Sequence, residues 1–194
     1  IGAAHRKGSV GSPYAIRDYR AVHSDLGTEA DLRRFVDDAH GLGLRVIIDL
    51  VINHAAWDHP LAEREPGVFV RDGLGRPTRR VAGWQDVVDW NYEHPAVAEY
   101  LLDAITHWVR DVGIDGYRCD VAGMVPRWFW ARVRERLLTL KPDHYLLALG
   151  HQPASAEPQK LYEEHCASCH GPQRLGDAQW AADFARAIAG REAS

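Results

Sequence analysis

Helical stripes and short apolar runs alternate along the first 150 residues, and that alternation most narrows what this chain can become. From Thr28 the sequence opens with a capping-box pattern, Thr28 and Asp31, and sets Leu32, Phe35, Val36, Ala39 and Leu42 at helical spacing before Gly41 and Gly43 offer a stop. Arg45 to Ile52 is almost continuously apolar and β-branched, the pattern of a parallel strand buried on both faces. A second stripe, Val97, Leu101, Ile105, Trp108 and Val109, ends near Gly113 and is followed by a strand from Gly116 to Asp120. Pro126 suits a first helical turn; Phe129, Val133 and Leu137 continue that helix to Lys141 and Pro142, and Tyr145 to Leu149 reads as a further strand. Strict helix and strand alternation implies an α/β fold with a parallel sheet.

The chain has 194 residues, 46% hydrophobic and 26% charged, enough for one domain with a real core but short of a whole (β/α)₈ barrel of about 250 residues. A net charge of −4 supplies no basic field for nucleic acid or an anionic membrane, and no run of about 18 apolar residues offers a membrane span. A neutral polymer is a better partner. The opening at Ile1 reads as a cut, with no signal-peptide pattern. Residues 1–150 form the expected first domain. It carries a long polar insertion over 53–92 that holds Pro60, Pro66, Gly67, Gly73, Gly75 and Pro77. Within it, Trp57 and Trp84 either stack on sugar rings or pack the insertion onto the body. Residues 151–156 read as a linker and 157–194 as the start of a second module. Of the three cysteines, Cys119 reads as a small buried residue within a strand.

The segment GIDGYRCDVA, Gly113 to Ala122, places Arg118 and Asp120 two apart at a strand end, hence on one face. A carboxylate beside a fixed guanidinium stays ionised, as a nucleophile attacking a sugar carbon must be. That is the chemistry of a retaining glycosidase, and the segment resembles the nucleophile region of the alpha-amylase family, glycoside hydrolase family 13. Two further blocks carry the same resemblance. In GSPYAIRDYRAV, Tyr14 matches the aromatic that lies against the sugar at the cleavage subsite, with Asp18 and Tyr19 in the same block. DLVINH, Asp49 to His54, resembles the first conserved region at the end of the third barrel strand. The resemblance implies that Asn53 is a calcium ligand, as in many members, that His54 hydrogen-bonds the substrate's primary hydroxyl, and that Asp49 supports the site. It also implies a partial TIM (β/α)₈ barrel covering about strands 2 to 5, acting on starch-like α-glucans or malto-oligosaccharides. Taken alone, His54 reads as a capping histidine and Asp120 as an ordinary ion-paired carboxylate.

A retaining glycosidase needs a second carboxyl group about 5 to 5.5 Å from the nucleophile. The resemblance places it as a glutamate at the end of the fifth strand, but HYLLALGHQP offers Leu149 or His151 there, and the next carboxylate is Glu157. The family's fourth conserved region has no counterpart either. The expectation is a half barrel with nucleophile and sugar contacts and little or no hydrolysis.

CASCH, Cys166 to His170, matches C-x-x-C-H, in which both thiols bond haem c and the histidine ligates its iron. LYEEHCASCHGP resembles the opening helix and attachment loop of a class I cytochrome c, a short, mostly α segment. Met124, the single methionine, is in the barrel portion, so residues 171–194 supply no sulfur ligand; His151 or His165 could substitute, with His165 too near the attachment site to reach round easily. The resemblance implies a redox partner and a periplasmic or extracellular location. The competing reading is an electron-transfer haem protein carrying a non-catalytic barrel remnant; a third is a fragment or join without independent function.

Overall fold

The computed structural model describes residues 12–148. Helix α1 (Glu29–Gly41) starts at the expected cap: the Thr28 hydroxyl accepts from the Asp31 amide at 3.2 Å, and the Asp31 carboxylate accepts from the Thr28 amide at 2.7 Å. Such a cap contributes about 1 kcal/mol. Val36 and Ala39 of the helix are buried, while Phe35 is 60% and Leu42 78% exposed, so the apolar stripe is wider than the surface it covers. Strand β1 (Ile47–Leu50) follows. The expected insertion is a folded excursion: β2 (His54–Ala56), helix α2 (Leu61–Arg64) and β3 (Val87–Asp89), with β2 and β3 antiparallel and His54 opposite Asp89. Phe69 stacks on Trp90 at 4.5 Å and both are buried, so the excursion is sewn into the main core.

Helix α3 (Pro95–His107) lays Val97, Ala98, Leu101, Leu102 and Ile105 into that core, each large aliphatic side chain stabilising by roughly 1.5 to 3 kcal/mol. It runs into a π turn at Trp108–Val112 that ends on Gly113, whose φ of 87° favours glycine. Strand β4 (Gly116–Cys119), helix α4 (Arg127–Leu140, preceded by Pro126) and β5 (Tyr145–Ala148) complete the described chain. The strands form a parallel sheet in the order β1-β4-β5, as expected of barrel strands, and three of them lie among the described residues. Gly116 is required by close approach, because a Cβ there would stand 2.0 Å from the Tyr145 carbonyl oxygen.

Parallel partners share a face, so Leu50, Cys119 and Ala148 form one layer and Ile48, Tyr117 and Leu146 the next, both toward the core. The other face carries Ile47, Asp49, Arg118, Tyr145 and Leu147. There Ile47 is 40% exposed and Leu147 51%, so β1 is not buried on both faces as its pattern suggests. Tyr145 on that side is likewise 52% exposed, whereas Asp120, one step past β4 on the same face, is buried. No helix among them is long and apolar enough to cross a membrane. The linker at 151–156, the 157–194 segment, Leu149, His151, His165, Cys166, Cys169 and His170 lie outside the described residues.

At the N-terminal end of the sheet, the buried Asp115 carboxylate gathers four donors from three surrounding segments. These are His40 Nε2 at 2.8 Å, Arg45 at 3.0 Å, the Val46 amide at 2.7 Å and Lys141 Nζ at 3.2 Å. Burial alone would raise its pKa, but the Val46 amide and the His40, Lys141 and Arg45 side chains outweigh burial and hold it well below the usual carboxylate range. A depressed folded pKa adds stability that is full above the unfolded value near 4 and lost as pH falls through the folded one. Asp115→Asn is therefore expected to cost about 2 to 3 kcal/mol at neutral pH. Its stability, followed by urea denaturation, should fall less steeply than wild type below about pH 4; equal stability at pH 7 would refute the clip.

Candidate active site

The C-terminal ends of β1 and β4 place the charged residues side by side. Asp49 pairs in register with Arg118, and one guanidinium nitrogen of Arg118 lies 3.0 Å from Asp49 Oδ2 and 3.4 Å from Asp120 Oδ1. Burial would lower the Arg118 pKa, but the neighbouring Asp49, Asp120 and Tyr14 raise it, so the cation is fixed. Tyr14, half-buried, is thus near enough to add to the field at Arg118. Asp120 is 3% exposed and its amide donates to the Leu50 carbonyl at 3.0 Å, which extends the β1–β4 pairing one residue past the strand. Next comes Val121, with φ 41° and ψ 39°, a left-handed conformation rare for a β-branched residue. Strain of this kind costs about 1 to 3 kcal/mol and concentrates at functional sites; here it turns the chain sharply behind Asp120.

His54 stands at the start of β2, buried, with its ring 4.9 Å from Trp84 in an edge contact. Trp84 is thus a packing residue that braces the histidine. Trp57 remains 40% exposed, with its indole N–H donating to the Gln85 carbonyl at 2.8 Å. The orientation of His54 follows from a chain of donors. Arg80 donates to Asn53 Oδ1, since a guanidinium has donors only, which leaves the Asn53 amide nitrogen facing His54 Nδ1 at 3.1 Å. Nδ1 must accept there, so the ring proton sits on Nε2, a donor suited to a sugar oxygen. Asn53, expected as a calcium ligand, spends its side-chain oxygen on Arg80.

Tyr19 supports the turn between β1 and His54. Its hydroxyl is 2.7 Å from both the Val51 and His54 carbonyl oxygens and accepts from Trp90 Nε1 at 3.2 Å. Burial drives this phenol far above its ordinary pKa, so it stays a neutral donor. Cys119, fully buried in β4, has its thiol pushed up to about 12 by burial, which keeps it unreactive, as its sequence context implied. Arg80, Asp89 and Trp90 complete the arrangement, although no motif marks them. Among the described residues, no group of three or more His, Cys, Asp or Glu is placed to hold a metal ion.

Parallel β/α units that gather charged side chains at the strand C-termini have the site layout of the (β/α)₈ barrel enzymes. The model of the alpha-amylase catalytic domain matches residues 5–65 and 82–163, and the chain belongs to that family. The gap between the matched segments falls inside the excursion, and the second segment ends at 163, short of Cys166. Alpha-amylase MalA of Haloarcula japonica is 36% identical over 129 residues, covering 63% of this chain and 19% of the relative. A cyclomaltodextrinase of a Bacillus species is 33% identical over 159 residues, covering 73% of this chain and 28% of the relative. Among solved structures, an alpha-amylase from Lactobacillus plantarum superposes with a TM-score of 0.75 at 35% identity, covering 94% of this chain and 42% of that one. The chain thus spans less than a third of these two curated relatives.

Removing the Tyr19 hydroxyl tests the support beneath His54. Tyr19→Phe leaves the Val51 and His54 carbonyls and the Trp90 N–H short of a partner, at an expected cost of about 1 to 3 kcal/mol in chemical denaturation. An unchanged midpoint would show that the turn is held otherwise.

Proposed function

We propose that this chain carries the nucleophile half of a retaining α-glucan hydrolase site. Asp120 is the nucleophile, Arg118 the cation that balances it, and His54 and Tyr14 the sugar contacts. The observation that carries the reading is Arg118 seated between Asp49 and Asp120 at the ends of paired strands β1 and β4. The names of the relatives, alpha-amylase and cyclomaltodextrinase, support starch-like glucans and malto-oligosaccharides as the substrate class.

Cleavage of a glucosidic bond needs a proton on the leaving oxygen as Asp120 attacks the anomeric carbon. Strand β5 is described to Ala148, opposite Cys119, and the sequence continues Leu149, Gly150, His151 without a glutamate. The chain is therefore proposed to bind glucans and hydrolyse them slowly or not at all. α-Maltosyl fluoride separates the two halves of the chemistry, because fluoride departs as an anion without a proton. Attack by Asp120 would break the C–F bond, form an ester to the sugar and release fluoride, leaving a maltosyl adduct visible by mass spectrometry. Asp120→Asn should abolish both signals, and Leu149→Glu should raise release of reducing sugar from starch. Fluoride release that survives Asp120→Asn would overturn the nucleophile; starch cleavage by the unaltered chain at the rate of an ordinary amylase would overturn the missing acid.

The CASCH run supports a second proposal, covalent haem c on Cys166 and Cys169 with His170 as an iron ligand, which would go with export and a redox partner. Coexpression with a cytochrome maturation system should leave haem on the chain through denaturing electrophoresis, and Cys166→Ala with Cys169→Ala should remove it. Absence of bound haem in the unaltered chain would sink this reading.

A further inference from the structure

Three oxygen-bearing groups from three separate segments converge just past the strand ends. They are Asn53 Oδ1 after β1, the Asp89 carboxylate of β3, and the Met124 carbonyl in the turn that follows Asp120. Amide, carboxylate and backbone oxygens are the donor types that bind calcium. Here all three point at a guanidinium. Arg80 Nε donates to Asp89 Oδ2 at 2.7 Å, a terminal nitrogen donates to Asn53 Oδ1, and both terminal nitrogens lie 3.3 to 3.4 Å from the Met124 carbonyl. The Arg80 backbone amide adds a bond to Asp89 Oδ2 at 3.0 Å. Asn53 and Asp89 are both wholly buried.

We infer that Arg80 is a built-in replacement for a structural cation, so that the joint between the excursion and the barrel strands needs no calcium. Calcium takes six to eight oxygens at about 2.3 to 2.6 Å. Asp89 is the single carboxylate of this set, and Arg80 already neutralises it. A calcium ion would place two further positive charges against the guanidinium and would have to displace it from all three acceptors. The residues present therefore do not fit the ion that the resemblance attached to Asn53. Asp89 Oδ1 is buried with no hydrogen-bond partner among the described residues, so the carboxylate is answered through Oδ2, by Arg80. Removal of the Arg80 side chain would leave Asp89 Oδ2, Asn53 Oδ1 and the Met124 carbonyl around a vacated space, an oxygen set that calcium and water can fill.

Thermal unfolding in EDTA and in calcium tests this without any sugar, so it stands apart from the glycosidase reading. The unaltered protein should melt within about one degree in EDTA and in millimolar calcium. Arg80→Ala should lower the midpoint by roughly 4 °C or more in EDTA, and calcium should recover part of the loss. Where Arg80→Ala does not fold, Arg80→Lys keeps the charge with fewer directed donors; it should melt below wild type and stay indifferent to calcium. A calcium-dependent midpoint in the unaltered protein would overturn the inference. So would an Arg80→Ala midpoint equal to wild type, an Arg80→Ala loss that calcium leaves untouched, or an Arg80→Lys variant that needs calcium.

Discussion

The in-register pairing of β1 with β4 is the constraint on which the candidate site depends. It sets Asp49 opposite Arg118 and Leu50 opposite Cys119, and the Asp120 amide carries the pairing one residue further onto the Leu50 carbonyl. A slip of one residue in β4 would exchange faces, driving Arg118 into the layer where Tyr117 and Cys119 are fully buried. Burying an unpaired guanidinium costs several kcal/mol, so packing on the helix-covered side enforces the geometry of the charged side. Gly116 then admits β5, since only a residue without Cβ lets Tyr145 approach so closely.

The two ends of the sheet handle charge in opposite ways. At the N-terminal end, Asp115 is surrounded by donors from α1, the segment before β1 and the end of α4, which ties the helices to the strands. Its oxygens are committed, which is the mark of a stabilising contact. At the C-terminal end, each cation is instead shared among acceptors from separate segments: Arg118 between Asp49 and Asp120, and Arg80 among Asn53, Asp89 and Met124. Arg118 also faces the open side of the sheet. Barrel folds divide stability and chemistry between their ends in this sense.

Long periodic elements were legible in the sequence because each announces itself locally. The Thr28–Asp31 box, the α3 stripe ending at Gly113, and Pro126 and Lys141 around α4 all stand where their physical roles require. The excursion was not legible as structure: β2 and β3 are three residues each, too short for a period, and they pair across the whole length of the excursion between Ala56 and Val87. The burial of β1 was misread because continuous apolar pattern records that both faces can be covered, whereas among residues 12–148 only one is. Motifs named Arg118, Asp120, His54 and Tyr14, and the fold gathers the first two into contact. Arg80 had no such signal, since its meaning arises only when positions 53, 89 and 124 meet in space. The tautomer of His54 was equally invisible, because it is imposed through Asn53 by that arginine.

Holding a carboxylate in place and using it in a reaction are separate physical problems, and the described residues address the first. Two carboxylates and one guanidinium at the strand ends carry a net charge of −1, with Arg118 a partner to both acids. Replacing Asp120 would leave Arg118 to Asp49, and replacing Arg118 would set two acids against one another on one face; each group is therefore constrained by its neighbours whether or not a sugar is ever cleaved. Proton delivery is different in kind. It needs a group that is protonated before the bond breaks and poised against the leaving oxygen, and no static ion balance supplies that. Arg118 beside Asp120 therefore fits the proposed nucleophile role, while turnover would require a proton donor that the ion balance does not provide.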